Sequence, residues 1–416
     1  VSDATQRALA AVDHDGRSRL LATLTRQFGD LDLAEDALQD ALAQALVSWP
    51  ESGVPRSPVA WLTTTARRKA LDVVRRDAVL ATKLARLRDE ASRAPNPSGG
   101  EEAVPDDRLG MFFACTHPVL RPEDRIALML RFVGGLSTVE VAHALLTPTA
   151  TVQQRIVRAK KRIRALGVPF TPPRTDDLPD RIDGVLRVVY LLFSEGFARS
   201  TGRAHVDDDL TAEAVRLARL LHRLLPTAET TGLLALLLLT QARRPARTTA
   251  DGIPVPLADQ DRSRWIGDLI VEGLALAESA AGSRGAGPYA IQASIAAVHA
   301  EARTADDTDW SQIAVLYRLL QDHDPGPVVR VGRAVAVGRA FGPHRGLDLL
   351  DALREEPALA RYRPFHIARA ITLAEVGDSD GAAAAYRRAL ELPGNTAEDD
   401  FLADALDEFG DRSPDS

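Results

Sequence analysis

A single cysteine in 416 residues, Cys115, has no partner, which excludes a disulfide framework and a cysteine-built zinc site. Long hydrophobic runs are also missing. The longest, LLALLLL at residues 233–239, falls far short of the roughly 20 residues that a membrane span requires. The opening VSDATQRALAAVDHDG carries acid early and has no apolar signal core, so the expected compartment is the cytoplasm, with no membrane contact. Lysine is scarce, because all but four of the 51 basic side chains are arginine. Alternating β-branched runs between turn signals are absent, and with them the pattern of a sheet. No G-x-x-x-x-G-K-S/T, no G-x-G-x-x-G after a strand and no H-E-x-x-H occurs. The nine histidines are scattered, and CTH at residues 115–117 is too sparse for a metal. The expectation is therefore no catalytic residue, no metal, no cofactor and no enzyme.

What is present is helical periodicity nearly throughout, so the expected class is all-α. The net charge of −7 divides unevenly. Residues 1–170 carry 24 basic and 20 acidic side chains, or +4, and the remainder carries 27 and 38, or −11. Only the first part suits a polyanion. Helices are expected at 5–28, 31–48 and 59–88, with a loop at 50–58. A Pro-, Gly-, Ser- and acid-rich linker follows at 89–107, then a compact unit at 108–167 and a break at 168–180. The rest is helical apart from an interruption at 243–259. Within it Ala334, Gly346, Leu350 and Leu353 recur as Ala370, Ala382, Tyr386 and Ala389, and GAAAAYRRALELPG has the small-then-large spacing of stacked helix pairs. The shift is 36 residues, near the roughly 34-residue period of a tetratricopeptide (TPR)-like repeat, with an earlier partial copy at 317–325. The expected division is 1–88, 108–167, 181–300 and 301–416, joined by linkers at 89–107 and 168–180.

Three stretches of the first part carry chemistry. In TPTATVQQRIVRAKKRIRALG (147–167), six basic and no acidic side chains surround an apolar stripe of Val152, Ile156, Ala159 and Ile163. Before it, GGLSTVEVAHALL offers Ser137 as N-cap with Glu140 three residues on, and Val139, Val141, Ala142, Leu145 and Leu146 as a buried face. Helix, short turn and basic helix make a helix-turn-helix. Its outer face would carry Thr151, Gln154, Arg155 and Arg158 toward base edges, with Lys160, Lys161, Arg162 and Arg164 toward phosphates. In DLDLAEDALQDALAQAL (30–46), Asp32, Asp36, Gln39 and Asp40 line an acidic face that the helix dipole explains only near its start. In SPVAWLTTTARRKALDVVRRD (57–77), Trp61, Leu62, Thr65, Ala66, Ala70, Val73 and Val74 point inward and Arg67, Arg68, Arg75 and Arg76 outward, with Asp72 placed to pair with Arg68 or Arg76. Arginines among threonines suit a nucleic-acid backbone.

These three stretches, in this order, resemble a bacterial RNA polymerase sigma factor of the extracytoplasmic-function (ECF) type. The resemblance implies that Asp36, Gln39 and Asp40 dock on core RNA polymerase, on the β′ clamp, with β as a further contact. It implies that Arg67, Arg68, Arg75 and Arg76 melt and read the promoter −10 element, Arg68 standing where many relatives carry Asn. It implies that Thr151, Gln154, Arg155, Arg158, Lys160 and Lys161 bind the −35 element. YLLFSEGF (190–197), ARRPAR (242–247), DQDRSRW (259–265) and AVHAEA (297–302) look like the long extension of one ECF group, which ends in TPR-like helices. That implies control through the extension, possible protein or ligand partners for it included. For DQDRSRW a structural salt-bridge cluster pinning the 243–259 loop competes with a ligand or partner site. Two rival readings remain at this point: a stand-alone helix-turn-helix regulator with a TPR sensor, for which the acidic helix has no purpose, and a TPR scaffold.

Overall fold

A computed structural model describes residues 3–10, 14–85, 107–145, 147–199, 202–203 and 205–410. Among them all regular structure is helical, with only isolated bridges between extended residues. The expected 89–107 linker (all but residue 107) and the turn residue Leu146 lie outside the described residues. Contacts divide the chain into Val1–Val188 and Val189–Ser416.

The first unit begins with α1 (Asp3–Ala10), α2 (His14–Phe28), α3 (Leu31–Ser52) and α4 (Pro58–Ala85). The expected 5–28 helix covers α1 and α2, with residues 11–13 outside the described residues. Asp30 caps α3, its carboxylate accepting from the N–H groups of Asp32 and Leu33 at 2.8 and 3.2 Å. Leu31, Ala34, Ala37, Leu38, Ala41, Ala45 and Trp49 form the buried stripe of α3, and Leu62, Ala66 and Ala70 that of α4. Trp49 meets Trp61 edge to face at 5.4 Å, so Trp61 is a core residue. Two expectations fail here. Pro50 does not open the loop: α3 continues to Ser52, because near a helix end proline forfeits a single bond. Buried Trp49 anchors that turn, and Gly53, at φ 82°, returns its N–H to the Trp49 carbonyl. Val74 is 43% exposed rather than inward, and nothing in the structure explains it.

The unit continues with α5 (Arg108–Cys115), α6 (Pro122–Leu128), a π turn (Met129–Val133), α7 (Thr138–Ala144) and α8 (Thr149–Leu166). Met111, Phe112, Phe113, Leu128, Met129 and Phe132 are all at most 1% exposed, which makes α5 and the π turn the centre of this bundle. Gly110 is required there, since a Cβ would run into the backbone of Phe170 as the chain returns over α5. The stripe Val152, Ile156, Ala159 and Ile163 is buried as its period demands. Val139 is 66% exposed instead, because it sits about 200° around α7 from buried Val141. The two bundles are not separate modules. Helix α2 packs on α3 and α4 with one side and on α5 and the π turn with another, and buried Ser18 donates its hydroxyl to the Phe132 carbonyl at 3.3 Å.

Helix α9 (Leu178–Phe197) enters the second unit, which continues with α10 (Asp208–Leu224), α11 (Ala228–Ala242), α12 (Gly267–Ala281) and α13 (Pro288–Glu301). The apolar run at 233–239 is the middle of α11, which α10, α12 and α13 surround. That is why it is hydrophobic on every side. Then come α14 (Trp310–His323), α15 (Pro327–Phe341), α16 (Pro343–Asp351), α17 (Arg363–Glu375), α18 (Ser379–Leu390) and α19 (Thr396–Gly410), each packed on the next. The repeat is real in three dimensions. Ala334 and Ala370 occupy first helices of successive pairs, and Gly346/Leu350 and Ala382/Tyr386 the second helices, all buried. A Cβ on Gly346 would stand 2.8 Å from Gly338 Cα, so this crossing needs glycine.

No boundary falls at residue 300, since Ile295 and Val298 share a core with Ile313, Ala314, Leu320 and Ala336. The unit also closes on itself. Fully buried Asn395 donates to the Arg199 carbonyl at 2.9 Å and contacts His205 Nδ1 at 3.3 Å, while Thr396 N–H reaches the Gly202 carbonyl at 2.9 Å.

Candidate nucleic-acid interface

Helix α8 owes its position to α7 and α6. Ser137 and Glu140 cap α7 reciprocally, the Ser137 N–H donating to Glu140 at 2.6 Å and the Glu140 N–H to Ser137 Oγ at 3.2 Å. With the apolar stripe turned in, Ala150, Gln153, Gln154, Val157, Arg158 and Lys161 line one shallow exposed groove. Thr151 and Arg155 are half-buried at its edge. Gln153 and Val157, 47% exposed, were not foreseen; their place on the arc beside Gln154 was the available signal. Glutamine offers a paired donor and acceptor to adenine, and valine an apolar contact to a thymine methyl.

The cations of α8 are not equally free. Asp124, on α6 and 3% exposed, accepts from Arg158 at 2.6 and 3.1 Å, and this bond raises the Arg158 pKa. Lys160, expected to face phosphates, turns to α3, where it pairs with Asp32 and, at 3.4 Å, with Glu35. Arg164 reaches Asp30 at 2.8 Å and Asp32 at 2.6 Å, and Arg131 of the π turn pairs with Glu35. Burial pushes the Asp32 pKa up, but Lys160 and Arg164 together hold it below the usual carboxylate value. Lys161 and Arg162 remain exposed.

On α4, Arg67, Arg68, Arg75 and Arg76 are all exposed. Among the described residues Asp72 makes no ion pair through its carboxylate, and Arg76 Nε donates to its backbone carbonyl at 3.3 Å. The hydroxyls of Thr63 and Thr64 are spent on the Val59 and Ala60 carbonyls. On α3, Asp36, Gln39 and Asp40 are exposed, and Gln39 lines a cleft with Glu35, Leu42, Arg17, Arg131 and Ser137.

In the second unit the four quoted segments converge. Arg247 stacks on Phe197, 3.3 Å above the ring, donates to the Phe197 carbonyl and contacts His205 Nε2 at 3.2 Å. Arg262 donates to the carbonyls of His299 at 2.5 Å and Ala302 at 2.7 Å and to Thr308 Oγ1 at 3.2 Å, with Trp265 4.7 Å away beneath it. DQDRSRW meets the 243–259 loop through Gln260, which accepts from Arg243 Nε at 3.4 Å and donates to the Val255 carbonyl at 3.0 Å, while Arg262 ends on carbonyls, a hydroxyl and a ring. Burial and the neighbouring arginines push Arg243 down to about 10 and Arg247 to about 9, and they push His205 and His299 to about 4.

Comparisons with known proteins cover both bundles of the first unit. The sigma-70 region 2 model matches residues 14–79, and the sigma-70 region 4 model residues 113–163. The chain belongs to the sigma-70 family, ECF type. Region 2 is thus α2–α4 and region 4 α5–α8, and the protein is an alternative sigma factor for transcription initiation. The region 2 match takes in the acidic helix α3. Residues 181–281 match a family of unknown function, DUF6596. An uncharacterized protein of Rhizobium meliloti, R00370, is 41% identical over 397 residues, 94% of this chain and 93% of the relative. The ECF RNA polymerase sigma factor SigK of Mycolicibacterium vanbaalenii is 27% identical over 40% of this chain and 83% of its own length. SigJ of Mycobacterium tuberculosis is 30% identical over 36% of this chain and 48% of its own. No solved structure matches the chain. No helix among the described residues is long and apolar enough to cross a membrane.

Proposed function

We propose that Asp36, Gln39 and Asp40 dock on core RNA polymerase, that Arg67, Arg68, Arg75 and Arg76 engage the −10 strand, and that the exposed arc of α8 reads the −35 duplex. Gln154 would contact base edges, joined by Gln153 and Val157, while Arg158 and Lys161 approach the backbone. The polymerase performs the chemistry, and this factor works beside it in the cytoplasm. The observation that carries the reading is the exposure of all three sets on different helices of the two matched regions. The extension is the controlling element. Its support is the charge contrast of −11 against +4, together with an alignment to R00370 that runs through nearly the whole chain.

The test is co-elution with core polymerase on gel filtration. The full chain should co-elute, and Asp36→Arg/Asp40→Arg should not. Equal co-elution by both would remove the docking assignment. For the extension, a chain ending at Val188 should bind promoter DNA more tightly at moderate salt if the extension masks the DNA surfaces; lost binding would make it a required part.

A further inference from the structure

Along the groove side of α8, the cations differ in one respect. Lys161 and Arg162 are exposed and make no ion pair among the described residues, whereas Arg158 is held by a buried acid. That acid, Asp124, is 3% exposed and sits in the first turn of α6, which packs on α8. Its two oxygens accept from Arg158 Nε at 3.1 Å and Nη2 at 2.6 Å, so the guanidinium is gripped along one edge. Nη1 takes no partner among the described residues, and Arg158 lines the same groove as Gln153, Gln154, Val157 and Lys161. We propose that Asp124 is a specificity-determining residue, a built-in counter-ion that aims Arg158 at one phosphate beside the reading groove and holds down binding to duplex of any sequence. The proposal rests on the assignment of α8 to the −35 duplex.

A free cation that meets a phosphate releases about one condensed counter-ion, and that release is alike on every sequence. Lys161 and Arg162 act in this way. Arg158 arrives already neutralised, so its contact releases little and its role is positional. An arginine on a free stem can follow many phosphates; one gripped at Nε and Nη2 reaches out through its Nη1 end, from one place. Phosphate contacts of fixed geometry set the register of a recognition helix on the duplex. Gln154 lies one turn before Arg158 on the same face, so the register that Gln154 needs is the one this pair sets. Burial makes the grip persistent. A pair with both members exposed is weak, but loss of Arg158 would leave the Asp124 carboxylate buried and unpaired. The acid also works against wrong sites: Asp124, with Glu123 adding to the negative field at the guanidinium, repels a phosphate that approaches out of line.

The test uses holoenzyme assembled from core polymerase and the full chain, with two probes: random-sequence duplex, and the duplex that this holoenzyme enriches from a random pool. Affinity for each is measured across a salt series. On random duplex, Asp124→Asn should steepen the fall of log affinity with log salt by about 0.9, the effect of one freed cation. The preference for enriched over random duplex should drop on the order of tenfold. Asp124→Asn/Arg158→Gln restores a neutral pair. Its slope should return to that of the unsubstituted chain while the preference stays low, which a loosened α6 would not produce. Lys161→Ala should flatten the slope by about 0.9 and keep most of the preference. If Lys161→Ala flattens the slope and Asp124→Asn changes neither slope nor preference, the role of Asp124 is overturned and the −35 reading stands. Slopes untouched by Lys161→Ala and Arg158→Ala alike would overturn the −35 reading, and the role of Asp124 with it.

Discussion

The cluster between α8 and α3 and the cluster around the 243–259 loop hold their charged side chains in opposite ways. In the sigma unit, Arg131, Arg158, Lys160 and Arg164 all end on carboxylates, most of them within reach of water. In the extension, Arg243, Arg247 and Arg262 end on carbonyls, an amide, a histidine and aromatic rings, and two histidines sit neutral among them. Ion pairs at a surface are reversible and weaken with salt, whereas buried guanidinium bonds to carbonyls are short-range and lock a fold. The cluster between α8 and α3 is of the first kind. The cluster around Arg247 and Arg262 in the extension is of the second.

Acid should break the comparison most strongly. The unfolded chain protonates a histidine near 6.5, but folded His205 and His299 resist until about 4. Between those values the unfolded state binds more protons, so stability falls as pH drops from 6.5 toward 4. From pH 7 to pH 5 each histidine should cost the extension roughly 2 kcal/mol. Trp265 and Trp310 report on this unit and Trp49 and Trp61 on the other, so Trp→Phe pairs separate their unfolding curves. The extension's midpoint should fall more than that of the sigma unit, and a His205→Gln/His299→Gln chain should lose the difference.

Arg262→Ala comes next. It removes three bonds to the end of α13 and to Thr308 and uncovers Trp265, at a cost of about 2–4 kcal/mol to the extension with little dependence on salt. A strong salt dependence in urea melts would mean that the cluster works by charge after all. The smallest effect belongs to Lys160→Ala/Arg164→Ala. It should lower sigma-unit stability by about 1 kcal/mol at low salt and by almost nothing near 1 M, where screening has already removed the pairs.

What was legible in the sequence follows from distance along the chain. The stripe of α8, the Ser137–Glu140 cap and the 334/370 repeat depend on neighbours a few residues away or on a regular period, and the structure has all of them. The exposure of the Arg67–Arg76 set followed from the same arithmetic. The pairing of α8 with α3 was invisible, because nothing local to Lys160 encodes Asp32, and a basic face looks alike whether it meets DNA or another helix. Arg262 was half legible: a structural salt-bridge cluster and a ligand or partner site competed for its segment, and the fold gives Arg262 carbonyls and a ring. Val139 and Pro50 failed for local reasons, a helix phase set by the cap and a helix end that tolerates proline.

The most direct test of the central claim is transcription from a pool of genomic fragments by core polymerase with and without the full chain, mapping transcript starts. The account predicts new starts that require the chain, share paired −35 and −10 sequences and disappear with Asp36→Arg/Asp40→Arg. Fragment binding by the chain with no chain-dependent starts would contradict it.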